Sequence, residues 1–127
     1  VFNQAGKFLD QWRHIVVPWG CCVTASDEIW VCGSGPMGWR KDDVVLGVPP
    51  AKQVLVKFST AGKVLEYVII PKGEDGKERP GELNWVHSIA VDKAGNLYCG
   101  DINGKRAQKF VLIPSDKQAT RQVVKKR

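Results

Sequence analysis

The sequence predicts an all-β protein built from two copies of one hairpin unit. Between Ser88 and Cys99, two short apolar runs flank a glycine-containing turn, a pattern that is typical of a hairpin. A looser version of the same pattern runs from Pro18 to Gly33, and no segment has convincing helical periodicity. An all-strand unit that repeats along the chain predicts a radial or stacked array of sheets rather than one closed sheet.

The second copy, from His87 to Phe110, is the more regular of the two. Its turn contains Gly95 and Asn96, which tolerate positive φ, and begins at Asp92, whose side chain can bond forward to the backbone. The predicted strands of this copy are His87–Val91, Asn96–Cys99, Ala107–Ile113 and Thr120–Val124.

The first copy keeps this framework with changes in the turn. Aligning Val23 with Val91 sets Trp30 against Tyr98, and Asp27-Glu28 then stands where the second copy has its glycine turn. The predicted strands are Trp19–Val23, Ile29–Cys32, Gln53–Phe58 and Lys63–Ile70, with a lone strand at Lys7–Trp12 before them.

The connections between the predicted strands are unequal in length. In an up-and-down meander the short turns 24–28, 59–62 and 92–95 lie at one end, and the long connections 33–52 and 71–86 lie at the other. Long loops tend to carry function, so this end is the predicted working face. Asn103 lies on the same face, and the candidate ligand-binding residues there are Trp19, Trp39, Trp85, Asp101 and Arg106. Packing in the core is the alternative role for each tryptophan.

Composition limits the partners. A chain of 127 residues can bury a core, and no apolar run approaches the roughly twenty residues of a membrane span. The net charge is +6, with Arg121, Lys125, Lys126 and Arg127 near the end of the chain. A basic patch can attract phosphate or acidic partners. Without interleaved aromatic residues, a solvated basic end is the preferred interpretation, and nucleic acid is not an expected partner.

The four cysteines are Cys21, Cys22, Cys32 and Cys99, and no Cys-x-x-Cys is present, which argues against a zinc ribbon. Cys21 and Cys22 face opposite sides of one strand, and Cys32 is expected across the hairpin from one of them. Two interpretations are compatible with this arrangement: a cross-strand disulfide in an oxidising compartment, and free thiols that pack as small apolar groups in the core. Buried free thiols are the preferred interpretation.

The stretch HSIAVDKAGNLYCGDINGKRAQKF, residues 87–110, resembles an NHL-repeat blade of a β-propeller. The shared features are an apolar inner strand ending in Val-Asp, a Gly turn, an aromatic second strand ending near Gly-Asp, and Arg-x-Gln-Lys-Phe. The resemblance implies a β-propeller segment of about two four-stranded NHL-type blades. Residues 1–17 would then form the outer strand of a preceding blade and a connector. Blade one would span residues 18–70 and include the long loop 33–52. An inter-blade loop would follow at 71–85, and blade two with a basic tail would span 86–127.

A propeller closes with about four to eight blades, so two blades cannot close the ring. The chain begins with Val1 rather than Met. We therefore expect either a piece of a longer chain or a unit that assembles with copies of itself, for which a trimer of about six blades is the simplest ring.

Val86-His87-Ser88-Ile89 is similar to the Pro-His-Ser/Asp-aliphatic pattern of the peptidyl-α-hydroxyglycine α-amidating lyases. This resemblance implies that His87 is a zinc ligand and that the complete, secreted or periplasmic protein cleaves a peptide α-hydroxyglycine with zinc as Lewis acid or hydroxide generator. Trp19 occupies the matching position of blade one. A catalytic zinc needs about three protein ligands, so the isolated chain is expected to be inactive.

Two other interpretations stay open. One is a non-enzymatic NHL propeller that binds a protein, glycan or RNA through the long-loop face. The other is a fragment with no independent function, whose uncovered blade faces would make it self-associate.

Overall fold

A computed structural model describes residues 1–13, 15–35, 52–111 and 113. In this part of the chain the backbone forms seven strands and no helix, which confirms the all-β prediction there. Sheet A contains β1 (Val17–Val23), β2 (Ile29–Ser34), β3 (Lys52–Phe58) and β4 (Val64–Pro71), and sheet B contains β5 (Val86–Val91), β6 (Leu97–Asp101) and β7 (Arg106–Phe110). Both sheets are antiparallel meanders in which strands that are consecutive in sequence pair with each other.

The seven strands coincide with predicted ones, apart from small shifts at their ends. The strand predicted at Lys7–Trp12 is wrong. The chain there folds back through a turn, makes one isolated antiparallel bridge between Phe2 and Phe8, and stacks Trp12 on Phe58 at 5.2 Å between ring centroids. The segment thus covers a sheet face through side chains instead of joining a ladder. The strand predicted at Thr120–Val124 lies outside the described residues, so sheet B has three described strands.

The two sheets pack face to face around one apolar core. Buried side chains from sheet A and sheet B, and from the loop before β5, form a single cluster; its larger members are Trp30, Leu55, Ile70, Leu83, Leu97 and Phe110. Full burial of one such aliphatic or aromatic side chain contributes about 1.5–3 kcal/mol. This core therefore accounts for much of the stability and fixes the position of the inner strands β1 and β5.

Sheet A is also covered on its other face. Val54, Leu55 and Val56 are consecutive and all buried, which requires packing on both sides of β3. The second layer comes from the N-terminal segment, where Trp12 and Ile15 pack against a cluster that contains Phe58. A side chain at Gly62 would collide with the indole of Trp12, so the glycine is required for this close contact.

Four turns share one backbone geometry. Gly6, Gly62 and Gly95 have φ between 75° and 81°, and Asp27 has φ of 57° at the matching place in the first hairpin. In each turn the amide of the positive-φ residue donates to the carbonyl three residues earlier. Asp27 is therefore a non-glycine residue in a conformation that favours glycine.

The positions that the two sequence copies share also match in the sheets. Trp30 pairs with Lys57 across β2 and β3, and Tyr98 pairs with Lys109 across β6 and β7. In both pairs the lysine ammonium lies over the ring, 5.4 Å from the centroid of Trp30 and 5.2 Å from that of Tyr98. Each lysine also has a carboxylate partner, Glu28 at 3.2 Å from Lys57 Nζ and Asp92 at 3.7 Å from Lys109 Nζ.

All four cysteines are free thiols. The expected placement of Cys32 across the hairpin from Cys21 or Cys22 is wrong, because Cys32 lies opposite Gly20. Burial raises the pKa of Cys32 to about 11 and raises the pKa of Cys99 still further. These two side chains pack in the apolar core as protonated thiols.

Replacing Asp27 by glycine tests the strain in the first turn. Because the left-handed conformation disfavours a residue with a Cβ, Asp27→Gly is expected to raise the free energy of unfolding by about 0.5–1 kcal/mol. Gly95→Ala is the matched control: its Cβ would meet nothing within 4 Å, so only the backbone cost acts, and a loss of about 1 kcal/mol is expected. Urea unfolding at constant m-value measures both changes. A lower stability of Asp27→Gly would contradict the assignment of strain.

The hydrogen bonds of the Asp92 carboxylate predict that the stability of the protein depends on pH. It accepts hydrogen bonds from Asn96 Nδ2, from the Asn96 and Ala94 amides and from the Tyr98 hydroxyl. These bonds, led by that of the Asn96 side chain, lower its pKa from 3.8 to about 2. A carboxyl whose pKa is lower in the folded state stabilises above pH 3.8 and loses this contribution as the pH falls towards 2.

Asp92→Asn is therefore expected to flatten the fall in stability between pH 4 and pH 2, measured by urea unfolding at each pH. Asp27→Asn is the matched control, because it removes one carboxylate from the equivalent turn of the first hairpin without removing a hydrogen bond of the described part of the chain. An equal slope in wild type and Asp92→Asn would show that this carboxylate does not govern the acid range.

Candidate ligand-binding site

Two β-bulges aim Trp19 and His87 in the same direction. The register of β1 with β2 shifts between Pro18 and Gly20, and that of β5 with β6 shifts between Val86 and Ser88. Trp19 and His87 are the extra residues, and a bulge commonly redirects the side chain of such a residue. Pro18 has no N–H for the ladder, which favours the irregularity in β1.

The N–H of Val86 is used outside its own sheet. It donates to Gln53 Oε1 at 2.8 Å, and both residues are buried. This bond joins the start of β5 to β3 of sheet A. Because His87 follows directly, the bond helps to fix the position of the second bulge relative to the first sheet.

Trp19, Trp85 and His87 surround one open recess of about 350 Å³. The ring centroids of Trp19 and Trp85 are 5.3 Å apart with a tilt of 57°, and those of Trp19 and His87 are 5.9 Å apart. Ile102 and Asn103 also line it. Both indoles are half-buried and His87 is exposed, so the rings are accessible to a small molecule.

Gly20 allows the two bulged strands to approach. A Cβ at this position would lie 2.8 Å from the carbonyl oxygen of His87 and 3.4 Å from Ser88 Cα. Backbone atoms cannot move aside as a flexible side chain can. The absence of a side chain at Gly20 therefore permits the distance at which the rings of Trp19 and His87 share a recess.

Trp85 is held by the carboxylate of Asp101. The amide of Trp85 donates to Asp101 Oδ1 at 2.7 Å, the amide of Asn84 donates to both carboxylate oxygens, and the amide of Ile102 donates to the Trp85 carbonyl at 2.9 Å. Asp101 is only 3% exposed. Its carboxylate therefore fixes the backbone that carries the Trp85 indole.

Arg106 fastens the loop between β4 and β5. Its guanidinium donates to the carbonyls of Glu78, Arg79 and Glu82 at 2.7–3.3 Å, and its Nε lies 3.6 Å from Asp101 Oδ2. Of the predicted site residues, Asp101 and Arg106 are thus placed behind the recess, and neither lines it. Both act on the recess by holding the loop that precedes Trp85.

The structure brings together three of the predicted site residues, Trp19, Trp85 and His87. Trp39, with most of the loop 33–52, lies outside the described residues. Ile102 was not predicted. The feature of the sequence that could have indicated it is a large aliphatic residue within a polar loop. The Ile102 side chain is 53% exposed and lines the recess.

The indole nitrogen of Trp19 is an unused hydrogen-bond donor. Nε1 is buried, and no acceptor for it is present among the described residues. Buried indole N–H groups usually find a partner, and an unsatisfied buried donor costs about 1–3 kcal/mol.

The donor set at the recess does not fit a catalytic zinc. His87 offers one imidazole, while Trp19 at the matching position of the first hairpin cannot ligate a metal. Across residues 1–13, 15–35, 52–111 and 113, no group of three or more His, Cys, Asp or Glu side chains converges. A catalytic zinc requires about three protein ligands and an open position. The role of His87 as a zinc ligand stays a prediction that needs donors from outside this set.

Comparisons with protein-family models, with curated proteins and with solved structures found no match. Among the described residues, no helix has the length and apolar character needed to cross a membrane.

Asp101→Asn tests the anchor of the recess. Replacing the charged acceptor of the Asn84 and Trp85 amides is expected to lower the free energy of unfolding by about 1–3 kcal/mol and to speed hydrogen exchange at these two amides. Asn103→Ala, in the same loop but exposed, is the control and is expected to change stability by less than about 0.5 kcal/mol. Unchanged exchange at Asn84 and Trp85 in Asp101→Asn would contradict the anchoring role.

Proposed function

We propose that this chain is part of an NHL-type β-propeller that binds a ligand in the recess formed by Trp19, Trp85 and His87. One observation carries the proposal: aromatic rings from both sheets converge on one accessible recess. Recesses lined mainly by apolar and aromatic groups with a few polar atoms are typical of small-ligand sites.

The propeller assignment is supported by the matching registers of the two sheets. Trp30 and Tyr98 have equivalent lysine partners, and both sheets are meanders that begin at the strand nearest the other sheet. The face of sheet B that contains Tyr98 and Lys109 is exposed, whereas the equivalent Trp30 in sheet A is buried against sheet B. A further blade, from a longer chain or from a second copy as in a trimer, would cover the exposed face in the same way.

Binding is favoured over catalysis by the chemistry of the recess. Its described lining residues carry two indoles, an imidazole, an isoleucine side chain and a primary amide. Catalysis of proton transfer or covalent attack usually needs a nucleophile or acid beside a base that a third group orients. Among the described lining residues, His87 is a base with no nucleophile beside it, while two tryptophans are typical of a recognition surface.

The lyase hypothesis is the second candidate. It is supported by the exposed imidazole of His87 near the start of β5, in the sequence Val-His-Ser-Ile. It requires further zinc ligands from other blades or from other copies, a peptide α-hydroxyglycine as substrate, and a secreted or periplasmic location. An interaction of the basic tail with acidic partners is a separate hypothesis, and the tail lies outside the described residues.

Indole NMR resonances of the ¹⁵N-labelled protein test the proposal. The probes are zinc, a proline-rich peptide, a single-stranded RNA and a set of oligosaccharides. At least one organic probe is expected to shift the Trp19 and Trp85 resonances, assigned from Trp19→Phe and Trp85→Phe, in a saturable manner. Tyr67→Phe, on β4 away from the recess, is the control and should bind equally. No saturable shift with any probe would contradict a binding function.

Metal analysis of the same sample separates the two candidates. Stoichiometric zinc that is lost in His87→Ala supports the lyase hypothesis, whereas an unchanged metal content in this variant counts against His87 as a ligand.

A further inference from the structure

We propose that Asn103 is a site of spontaneous deamidation, and that this modification changes both the charge and the backbone of the recess. The chemistry belongs to the chain itself, whatever the recess binds. Three observations support it: the glycine that follows Asn103, the exposure of the Asn103 side chain, and the way in which the other asparagines are held.

The reaction needs only water besides the protein. The amide nitrogen of Gly104 loses its proton to a base in the solvent and attacks Asn103 Cγ, so a nitrogen–carbon bond forms and closes a succinimide ring. The bond from Cγ to the side-chain nitrogen breaks, and that nitrogen takes up a proton and leaves as ammonia. Water then opens the ring at either carbonyl, which yields aspartate or isoaspartate at residue 103 without oxidation or reduction.

The buried carboxylate of Asp101 requires a glycine at position 104. A Cβ there would collide with Asp101 Oδ2 and would lie 3.2 Å from Arg106 Nε, so a side chain has no room. Glycine is also the residue that hinders the attack least, because it has no Cβ to shield its amide nitrogen. The packing around Asp101 therefore places a reactive neighbour directly after Asn103.

The Asn103 side chain is open to this attack. It is exposed in the turn between β6 and β7, and it makes no hydrogen bond among the described residues. One contact opposes the reaction, since the Gly104 amide donates to Asp101 Oδ1 at 3.3 Å. This distance exceeds the usual range of about 2.7–3.2 Å, so the bond is weak and a small opening of the turn releases the amide.

The other three asparagines lack this combination. Asn3 Oδ1 accepts from two backbone amides, Asn84 is fully buried, and Asn96 Nδ2 donates to a carboxylate at 2.8 Å. Each of them precedes a residue whose side chain shields the amide nitrogen, namely glutamine, tryptophan or leucine. Asn103 is therefore expected to react before any of them.

Deamidation would alter the recess in two ways. It adds a negative charge where none of the other described lining residues carries a carboxylate. The isoaspartate product also lengthens the backbone of the turn by one carbon. The Lys105 amide closes this turn on the Ile102 carbonyl at 3.1 Å, and the Ile102 amide donates to the Trp85 carbonyl at 2.9 Å. A longer turn therefore displaces the chain that is bonded to Trp85.

Incubation of the purified protein at mildly alkaline pH, followed by peptide mapping, tests the site. Cleavage after Lys93 and Lys105 releases one peptide, residues 94–105, that contains both Asn96 and Asn103. We expect a carboxyl group to replace the amide at Asn103 and not at Asn96, with isoaspartate detected by enzymatic methylation. Asn103→Gln keeps an exposed primary amide but closes a cyclic imide far less readily, so the modification at residue 103 is expected to be lost in this variant.

An amide that persists at Asn103 while another asparagine reacts, or that persists as long as the amide in Asn103→Gln, would overturn the proposal. Aspartate without isoaspartate would also overturn it, because direct hydrolysis of the side chain yields aspartate alone.

Indole NMR resonances test the effect on the recess. The resonances of Trp19 and Trp85 are expected to differ between fresh and modified protein. Those of Trp12, which packs against the other face of sheet A, are expected to agree. Equal Trp19 and Trp85 resonances in fully modified protein would overturn the proposed effect on the recess.

Discussion

The close packing of β1 against β5 is the constraint on which the rest of the structure depends. Gly20 places the backbone of β1 against the carbonyl of His87, at a distance that a Cβ would not allow. On one side of this contact, the faces of the two sheets close over a core that contains Trp30, Cys32 and Cys99. At its end, the same approach brings the rings of Trp19 and His87 together. Stability and the recess therefore have one geometric origin.

The loop before β5 connects that packing to the surface through polar groups. Asp101 and Gln53 are both buried, and each accepts a hydrogen bond from a backbone amide in the stretch that enters β5. A buried acceptor left without these donors would cost about 1–3 kcal/mol, more for the charged Asp101, so the loop and the two sheets stabilise one another. Because Trp85 lies within this stretch, its indole is placed by groups that are not among the described lining residues of the recess.

Much of the fold could be predicted because its signals are local. The hairpin turns follow from residues such as Gly95 and Asp92, and the alternation of apolar residues identifies the strands. The position of Asp27 in the turn could be found by aligning the two copies. Register shifts cannot be read in this way. The bulges at Trp19 and His87, the position of Cys32 opposite Gly20, and the side-chain packing of Trp12 all depend on contacts between distant segments. The burial of Asp101 likewise depends on a loop that is remote in sequence. The sequence alone therefore predicts that Asp101 contacts a ligand on the working face.

The difference between Trp19 and His87 argues for recognition by an asymmetric site. The two residues occupy equivalent bulges, so identical residues there would present two equivalent groups to a ligand. An indole and an imidazole present different hydrogen-bonding edges, one that only donates and one that can donate or accept. Trp85 and Asn103 are contributed by segments near β5 and β6, which increases the asymmetry. Under the proposed binding function, such a recess would hold a ligand in one orientation, whereas a symmetric pair of side chains would hold it in two.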